Sequence, residues 1–203
     1  MFPFDVVLFD VGGVLLTNGW DHRERAVVAK QFSLDLADLE ARHAIHYGDW
    51  ERDAINAEAY LASTVFYEPR NFTQRQFFDA ICAQSMVLPN GALGILAEVA
   101  AQGKYLVGAL NNEAGETNEY RFREFGLRKY FKVSLSSCYL GLRKPEPAIY
   151  LRALDILGRP GKRVLFIDDR PENVAAAQEE GIKGIVFAGA DKLKPELERL
   201  GVL

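Results

Sequence analysis

The stretch Val6-Val7-Leu8-Phe9-Asp10-Val11-Gly12-Gly13 decides the fold of this chain. Four consecutive apolar residues are typical of a strand that is buried on both faces, as in a parallel sheet. The strand leads into a glycine turn that carries one carboxylate, Asp10. Ligands of open parallel sheets bind beyond the carboxyl ends of the strands, so Asp10 is a candidate functional residue.

A second apolar strand, Val164-Leu165-Phe166-Ile167, ends in the acid pair Asp168-Asp169. Lys144 lies between the two strands in the chain. Two adjacent carboxylates at one strand end repel each other unless a cation is present, which favours a metal site over simple capping of the next helix. We therefore expect one catalytic group, made of Asp10, Lys144, Asp168 and Asp169.

From residue 90 onward, helical and strand periods alternate, which indicates βα units and a parallel sheet. Helices are predicted over about residues 91–102, 114–125, 146–157 and 171–180, with a last helix from about 189. Strands are predicted over residues 4–9, 105–110, 132–136, 163–167 and 184–187. The sequence thus predicts an α/β fold with a doubly wound, Rossmann-like parallel sheet.

Residues 18–89 differ from the rest, because they hold four amphipathic stretches and no convincing strand. The stretches are Arg23–Phe32, Leu36–Tyr47, Ala54–Val65 and Arg75–Met86. We expect a helical cap over residues 18–89, inserted after the first strand, and a core domain made of residues 1–17 and 90–203. A cap in this position would overhang the carboxyl edge of the sheet and close the site.

Composition narrows the possible partners. With 203 residues, 49% of them hydrophobic, the chain can form one core or a core and a small accessory module. A net charge of −4 offers no basic surface, so we expect no nucleic acid. No apolar run approaches the ~20 residues that span a bilayer, and no signal peptide is evident, so we expect no membrane partner. Two distant cysteines, Cys82 and Cys138, fit the reduced cytoplasm, and we expect a monomer or homodimer.

Four segments follow one another in a characteristic order: Phe9–Leu15, Ala109–Asn112, Leu142–Glu146 and Phe166–Asn173. Their order and spacing resemble the motifs of the haloacid dehalogenase superfamily, in its phosphatase branch with a helical cap after the first motif. The first, third and fourth segments are specific in combination, whereas the second is weak. Together the segments extend over nearly the whole chain.

The resemblance implies that Asp10 attacks a phosphoryl group and forms an aspartyl phosphate, which water then hydrolyses. It also implies Mg²⁺, held by the Asp10 carboxylate, the backbone carbonyl of Gly12 and the Asp168–Asp169 pair. Asp169 aligns as the direct ligand. Asp168 and Asn173 would orient the ligands and metal-bound water.

The same resemblance assigns the remaining site residues. Lys144 would pair with Asp10 and with the transferring phosphoryl group, which stabilises its negative charge. Gly13, Asn111 and Asn112 are the candidate substrate-binding residues, through backbone or side-chain hydrogen bonds.

Two positions depart from the pattern of the family. Gly12 stands where most phosphatases of the superfamily carry a second aspartate, which protonates the leaving oxygen and later activates water. Such an acid contributes about 10²–10⁴-fold in rate, so its absence disfavours poor leaving groups. Leu110 stands where the second motif usually supplies a hydroxyl group. Similar members that lack the second aspartate act on sugar 1-phosphates, whose anomeric oxygen leaves more easily.

The sequence indicates a Mg²⁺-dependent phosphomonoesterase that acts on a small phosphorylated metabolite, and two alternatives stay open. A 2-haloacid dehalogenase uses the same aspartate to displace halide, but it needs no metal, which leaves the acid pair unexplained. A catalytically degenerate binding protein of the same fold would account for Gly12 and Leu110.

Two groups of residues are candidates for contact with the substrate. Asn18 and Trp20 follow the first motif closely and are candidate pocket residues. A second group lies on and after one predicted helix: Arg42, His43, His46, Tyr47 and Trp50. This second group forms either a substrate-contacting face of the cap or the solvated edge of a partly buried helix.

Overall fold

The structure is a computed structural model that describes residues 3–203. Its sheet has five strands: β1 (Val6–Phe9), β2 (Leu106–Ala109), β3 (Val133–Ser134), β4 (Val164–Asp168) and β5 (Lys183–Val186). All neighbouring strands are parallel, in the order β3-β2-β1-β4-β5. This arrangement confirms the predicted doubly wound α/β fold.

The helices are α1 (His22–Gln31), α2 (Leu36–Glu51), α3 (Ala57–Thr64), α4 (Gln74–Cys82), α5 (Leu93–Ala101), α6 (Gly115–Glu124), α7 (Ser137–Leu140), α8 (Pro147–Leu157), α9 (Pro171–Glu179) and α10 (Ala190–Arg199). Two short 3₁₀ helices, Leu127–Lys129 and Gly161–Arg163, precede β3 and β4. No helix among residues 3–203 is long and apolar enough to cross a membrane.

The central strand β1 positions Asp10. Phe9 is in register with Ala109 of β2 and with Ile167 of β4. The residues that follow these three positions therefore lie together at the same edge of the sheet. Val7 and Phe9 pack into the core on one face of the sheet, and Val6 and Leu8 pack into the core on the other. Burial on both faces explains why β1 is apolar at every position.

Helices α1–α4 form a helical unit with a hydrophobic core of its own. That core includes Trp20, Leu39, Trp50, Tyr60 and Phe77. The unit connects to the sheet domain through a neck, residues 15–17 and 86–88, in which two passes of the chain run side by side. Leu16 and Val87 form an antiparallel bridge, and the Thr17 N–H donates to the Met86 carbonyl at 2.9 Å.

Several elements of the structure differ from the sequence predictions. Helix α2 continues past Tyr47 to Glu51, because Gly48 does not take the left-handed conformation that ends many helices and Trp50 packs into the helical core. Helix α4 ends at Cys82 and not at Met86, because Met86 belongs to the neck. The one-turn helix α7 was not predicted.

Candidate active site

Three carboxylates meet at the carboxyl edge of the sheet. Asp10, Asp168 and Asp169 each place a carboxylate oxygen within 4.8 Å of the other two. Asp10 is 8% exposed, Asp168 is fully buried and Asp169 is half-buried. The structure therefore brings together acids that are about 160 positions apart in the sequence, as the adjacency of β1 and β4 requires.

Lys144 joins this cluster from the loop before α8. Its ammonium group lies 3.1 Å from Asp10 Oδ1, 2.5 Å from Asp168 Oδ2 and 3.0 Å from the Leu110 carbonyl oxygen. The ammonium group donates hydrogen bonds to Asp168 and to the Leu110 carbonyl oxygen and forms an ion pair with Asp10. The charge of Lys144 is thus fixed beside Asp10, with 3% of the residue exposed.

The two neighbouring acids Asp168 and Asp169 have opposite surroundings. Asp168 accepts hydrogen bonds from Lys144, from the Arg170 N–H at 2.8 Å and from Asn173 Nδ2 at 3.0 and 3.1 Å. Asp169 Oδ1 is buried and has no hydrogen-bond partner among the described residues. Since buried polar atoms are normally hydrogen-bonded, this oxygen atom is a candidate ligand for a cation.

The glycine turn after Asp10 is shaped around Asp169. Gly13 has φ +68°, and a Cβ atom built on it would collide with the Asp169 carboxylate. Its N–H donates to the Leu16 carbonyl, and Gly13 is not among the cavity-lining residues. The carbonyl oxygen of Gly12 accepts no hydrogen bond from residues 3–203.

Burial and mutual repulsion govern the protonation of this cluster. Burial is the main cause that raises the pKa of Asp10 to about 8. The charges of Asp168 and Asp169 also raise this pKa, whereas the charge of Lys144 lowers it. Burial and the Asp168 charge also raise the pKa of Asp169. Burial alone lowers the pKa of the Lys144 ammonium group, but Asp10 and Asp168 outweigh it, so that pKa is raised.

These observations fit a divalent cation. The partnerless Asp169 oxygen, the Asp10 carboxylate and the unused Gly12 carbonyl provide only oxygen ligands, which Mg²⁺ prefers. A cation would also offset the negative charge that raises the pKa values of Asp10 and Asp169.

The three residues that follow β2, namely Leu110, Asn111 and Asn112, have different surroundings. Leu110 packs into the core, and only its carbonyl oxygen reaches Lys144. The Asn111 side chain is buried, donates to Asn118 at 3.0 Å and accepts from Ser136 at 2.7 Å. Asn112 lines the cavity described below, and its side chain bonds the backbone N–H and carbonyl of Lys144, both at 2.8 Å.

A cavity of about 490 Å³ lies between the sheet edge and the helical unit. Its floor contains Asp10, Asn112, Lys144 and Asn173, and its roof contains Trp20, Arg25, Glu40, His43, Tyr47 and Trp50. The volume is in the range of about 300–1,000 Å³ that small-molecule sites occupy. Asn18 also lines the cavity, whereas Arg42 and His46 do not.

Polar contacts hold the helical unit over the sheet edge. Arg143 Nε lies 2.6 Å from Glu51 Oε2, and Arg170 pairs with Asp21 at 3.2 Å. Glu116 of α6 accepts from Trp50 Nε1 at 3.1 Å and from the Ala57 N–H at 2.7 Å. Sequence reasoning missed these contacts, because their partners lie far apart in the chain and no sequence pattern links them.

Sequence reasoning also missed a buried ion pair beside position 12. Arg121 pairs with Glu113 and donates to the Thr17 carbonyl. Arg121 Nη1 lies 3.8 Å from the place where a Cβ atom on Gly12 would be, and Asn18 Oδ1 lies 2.9 Å from it. The room near a missing aspartate side chain is thus occupied by a guanidinium group and an amide.

A sequence model of haloacid dehalogenase-like hydrolases matches residues 4–181. The chain belongs to this family of hydrolases, in agreement with the resemblance of its four motifs.

Several known proteins are similar to the chain. The chloroplastic flavin mononucleotide hydrolase 1 of Arabidopsis thaliana is 30% identical over 164 residues, which is 81% of this chain and 65% of that protein. The chain thus spans just under two thirds of that relative. A pyrimidine 5'-nucleotidase of Escherichia coli is 31% identical over 183 residues, 84% of this chain and 79% of that protein.

Among solved structures, an enzyme of the same family from Bacteroides thetaiotaomicron, in a magnesium complex, superposes with a TM-score of 0.80 at 23% identity. The superposition covers 97% of this chain and 99% of that chain. This likeness supports the fold over the part of the chain that is superposed, which includes most of the sheet domain and the helical unit.

Proposed function

We propose that this protein is a Mg²⁺-dependent phosphomonoesterase that acts on a small phosphorylated metabolite, with Asp10 as the nucleophile. The observation that carries the proposal is the position of Asp10 on the cavity floor, between a fixed ammonium group and a carboxylate oxygen without a partner. Two similar proteins, a flavin mononucleotide hydrolase and a pyrimidine nucleotidase, support a phosphate ester as substrate.

The environment of Asp10 favours attack through one oxygen. Oδ1 accepts from the Val11 N–H at 2.7 Å and lies 3.1 Å from the Lys144 ammonium group, whereas Oδ2 accepts no hydrogen bond from the described residues. The bond from Oδ2 to phosphorus forms while the bond from phosphorus to the leaving oxygen breaks, and water then cleaves the aspartyl phosphate. Lys144 offsets charge on the transferring phosphoryl group.

The residues that would hold Mg²⁺ are Asp10, Asp169 and, through its carbonyl oxygen, Gly12. The ion would screen the repulsion between the carboxylate and the phosphate ester. Asp168 and Asn173 would keep Lys144 in place, as their hydrogen bonds indicate. The Asn112 N–H, which donates to no described residue, is the backbone group proposed to bind a phosphate oxygen.

The surroundings of Gly12 support a preference for good leaving groups. Glu113 is paired with Arg121 and accepts from the Thr117 hydroxyl group, and Arg121 stays charged, so we propose that neither supplies the proton that the missing aspartate would give. The leaving oxygen must then depart with most of its negative charge. An anomeric or aryl oxygen tolerates this charge better than the oxygen of a primary alcohol.

Phosphate release tests the proposal. Wild-type protein is expected to hydrolyse an aryl phosphate only with Mg²⁺, to hydrolyse a sugar 1-phosphate faster than the 6-phosphate of the same sugar by about 10²–10⁴-fold, and to lose activity in Asp10→Asn. Asp155→Asn, which changes an exposed aspartate on α8, is the matched control and should keep wild-type activity.

Two results would contradict the proposal. Halide release from 2-haloacids in excess chelator would assign the dehalogenase reaction. Binding of Mg²⁺ or metabolites in calorimetry, with no phosphate release across sugar phosphates, nucleotides and acyl phosphates, would assign a binding protein.

A further inference from the structure

The roof of the cavity contains a histidine whose outer nitrogen atom the protein does not use. His43 of α2 lines the cavity, is 9% exposed, and places Nδ1 2.8 Å from the Tyr60 hydroxyl oxygen. Its Nε2 forms no hydrogen bond with the described residues. Nε2 is not fully buried, so it is accessible from the cavity that His43 lines.

The hydrogen bonds behind His43 fix its tautomer. Trp20 Nε1 can only donate, and it lies 2.8 Å from the Tyr60 hydroxyl oxygen, which must therefore accept. The one hydrogen of the Tyr60 hydroxyl group is then directed to its other partner, His43 Nδ1. A neutral imidazole that accepts at Nδ1 carries its proton on Nε2.

The ring positions in this relay are held by stacking. Tyr60 is fully buried and stacks on Trp50, with ring centroids 4.1 Å apart. His43 stacks on Tyr47 at 4.8 Å. The direction in which Nε2 points is therefore set by packing and does not depend on a bound molecule.

The charged groups around His43 agree with a neutral ring. Burial, and then the charges of Arg25 and Arg143, lower the pKa of His43 to about 4, against the opposing charges of Glu40 and Asp21. Arg25 is itself engaged, with Nε and Nη2 each 2.8 Å from Glu40 and Nη1 2.5 Å from the Trp20 carbonyl. The roof thus presents the Arg25–Glu40 ion pair, whose charges satisfy each other, and a neutral donor at His43 Nε2.

We propose that His43 Nε2–H is a recognition group that donates a hydrogen bond to an uncharged oxygen atom of the leaving group, with Trp20 and Tyr60 as positioning residues. The proposal rests on the proposed phosphatase function and deepens it. A neutral donor binds hydroxyl or carbonyl oxygens and gives no selective gain with an apolar leaving group. The chemical class of substrate is therefore a phosphate ester whose leaving group carries hydroxyl or carbonyl oxygens, such as a sugar or polyol phosphate.

The first test compares two substrates in the full-length protein with Mg²⁺. Glucose 1-phosphate carries hydroxyl oxygens on its leaving group, and phenyl phosphate carries none. The ratio of kcat/KM for the two should fall about 5- to 100-fold in His43→Phe, because one hydrogen bond to the leaving group is lost. His43→Gln, which retains an N–H near the position of Nε2, should restore most of the ratio.

The matched control is His46→Phe, the same change one turn further along α2 at a half-buried residue that does not line the cavity. Its kinetics and thermal unfolding should equal those of the wild type. Thermal unfolding of His43→Phe separates loss of recognition from loss of fold.

The second test observes the relay directly. In ¹⁵N NMR at pH 7, His43 should show a protonated Nε2 and an unprotonated Nδ1. Tyr60→Phe should convert this signal to a mixture of tautomers, because Nδ1 loses its donor. A relay that only supported the fold would leave kinetic selectivity unchanged in this variant, whereas the proposal expects the substrate ratio to fall.

The outcomes separate the two proposals. Absence of Asp10-dependent phosphate release from both substrates would overturn the phosphatase function, and the inference with it. Asp10-dependent release with the same ratio in His43→Phe and in wild type, or an Nδ1-protonated His43, would overturn the role of His43 alone.

Discussion

Gly13 is the residue whose missing side chain matters most to the site. A Cβ atom there would occupy the place of the Asp169 carboxylate, and the φ of +68° disfavours any L side chain. The glycine therefore allows the left-handed backbone of the turn and leaves room for the Asp169 carboxylate. Gly12 differs, because its φ lies outside the left-handed region and its Cβ would meet only movable side-chain atoms and the Asn18 Cα at 3.5 Å.

The first prediction compares two glycine substitutions. Gly13→Ala should cost about 1–2 kcal/mol of unfolding free energy for the left-handed backbone and should also displace Asp169, with a loss of at least about tenfold in Mg²⁺ affinity. Gly103→Ala is the control, since Gly103 has φ +63° and no atoms near its Cβ position. Chemical unfolding and Mg²⁺ titration should show similar backbone costs but a metal defect only in Gly13→Ala.

The second prediction concerns His43 and pH. Its pKa is about 4 in the folded protein, below the ordinary value of 6.5. The folded state thus binds fewer protons than the unfolded state, so stability is full above pH 6.5 and falls as the pH decreases towards 4. Urea unfolding should show that lowering the pH from 7 to 4.5 costs wild type about 2–3 kcal/mol more than His43→Gln. Equal losses would mean that His43 ionises freely in the fold.

At the scale of the element, the end of β4 separates two neighbouring acids. Successive residues of a strand point to opposite sides, and here Asp168 points to Lys144 and Asn173 while Asp169 lies against the turn after β1. The acid pair at this strand end therefore provides one carboxylate that fixes the lysine and another that remains without a partner.

The third prediction follows from this division. Asp169→Asn should weaken Mg²⁺ binding more than Asp168→Asn, measured by calorimetry at pH 7. Asp168→Asn should instead reduce stability, because Lys144 is buried and loses its nearest anion. The reverse order of Mg²⁺ affinities would show that Asp168 is the direct ligand.

At the scale of the whole molecule, Glu116 connects the sheet domain to the helical unit. Its carboxylate receives the Trp50 indole N–H and the first N–H of α3, two donors that come from different helices of the unit. The same residue thus stabilises the start of α3 and keeps Trp50 in the cavity roof.

The fourth prediction is that Glu116→Ala loosens the helical unit. Hydrogen exchange should accelerate at the start of α3 and the end of α2, the unfolding free energy should fall by about 1–2 kcal/mol, and KM should rise. Glu119→Ala is the control, because Glu119 lies on the same helix but pairs with Arg128 and Tyr139 of the sheet domain. Equal exchange in the two variants would exclude Glu116 as the connection.

The sequence was sufficient for the strands and for the residues at their ends. Apolar runs such as Val164–Ile167 are unambiguous, and a parallel sheet brings their carboxyl ends to one edge. It was insufficient for Glu113, Arg121 and Glu116, whose partners are set by how the helices pack. The role of His43 was ambiguous for the same reason. Its partner Tyr60, and Trp20, which donates to Tyr60, lie on either side of it in the chain and meet only in the fold.

The neck is a position at which the helical unit could be replaced during evolution. The segment that forms the helical unit leaves and returns at neighbouring positions, with Thr17 and Met86 joined by a hydrogen bond. A segment inserted in this way can be lengthened, shortened or replaced without altering the strand order. The sheet and its acids can then be inherited unchanged while the four helices diverge. The choice of substrate can thus change through the helical unit, without change to the residues at the sheet edge.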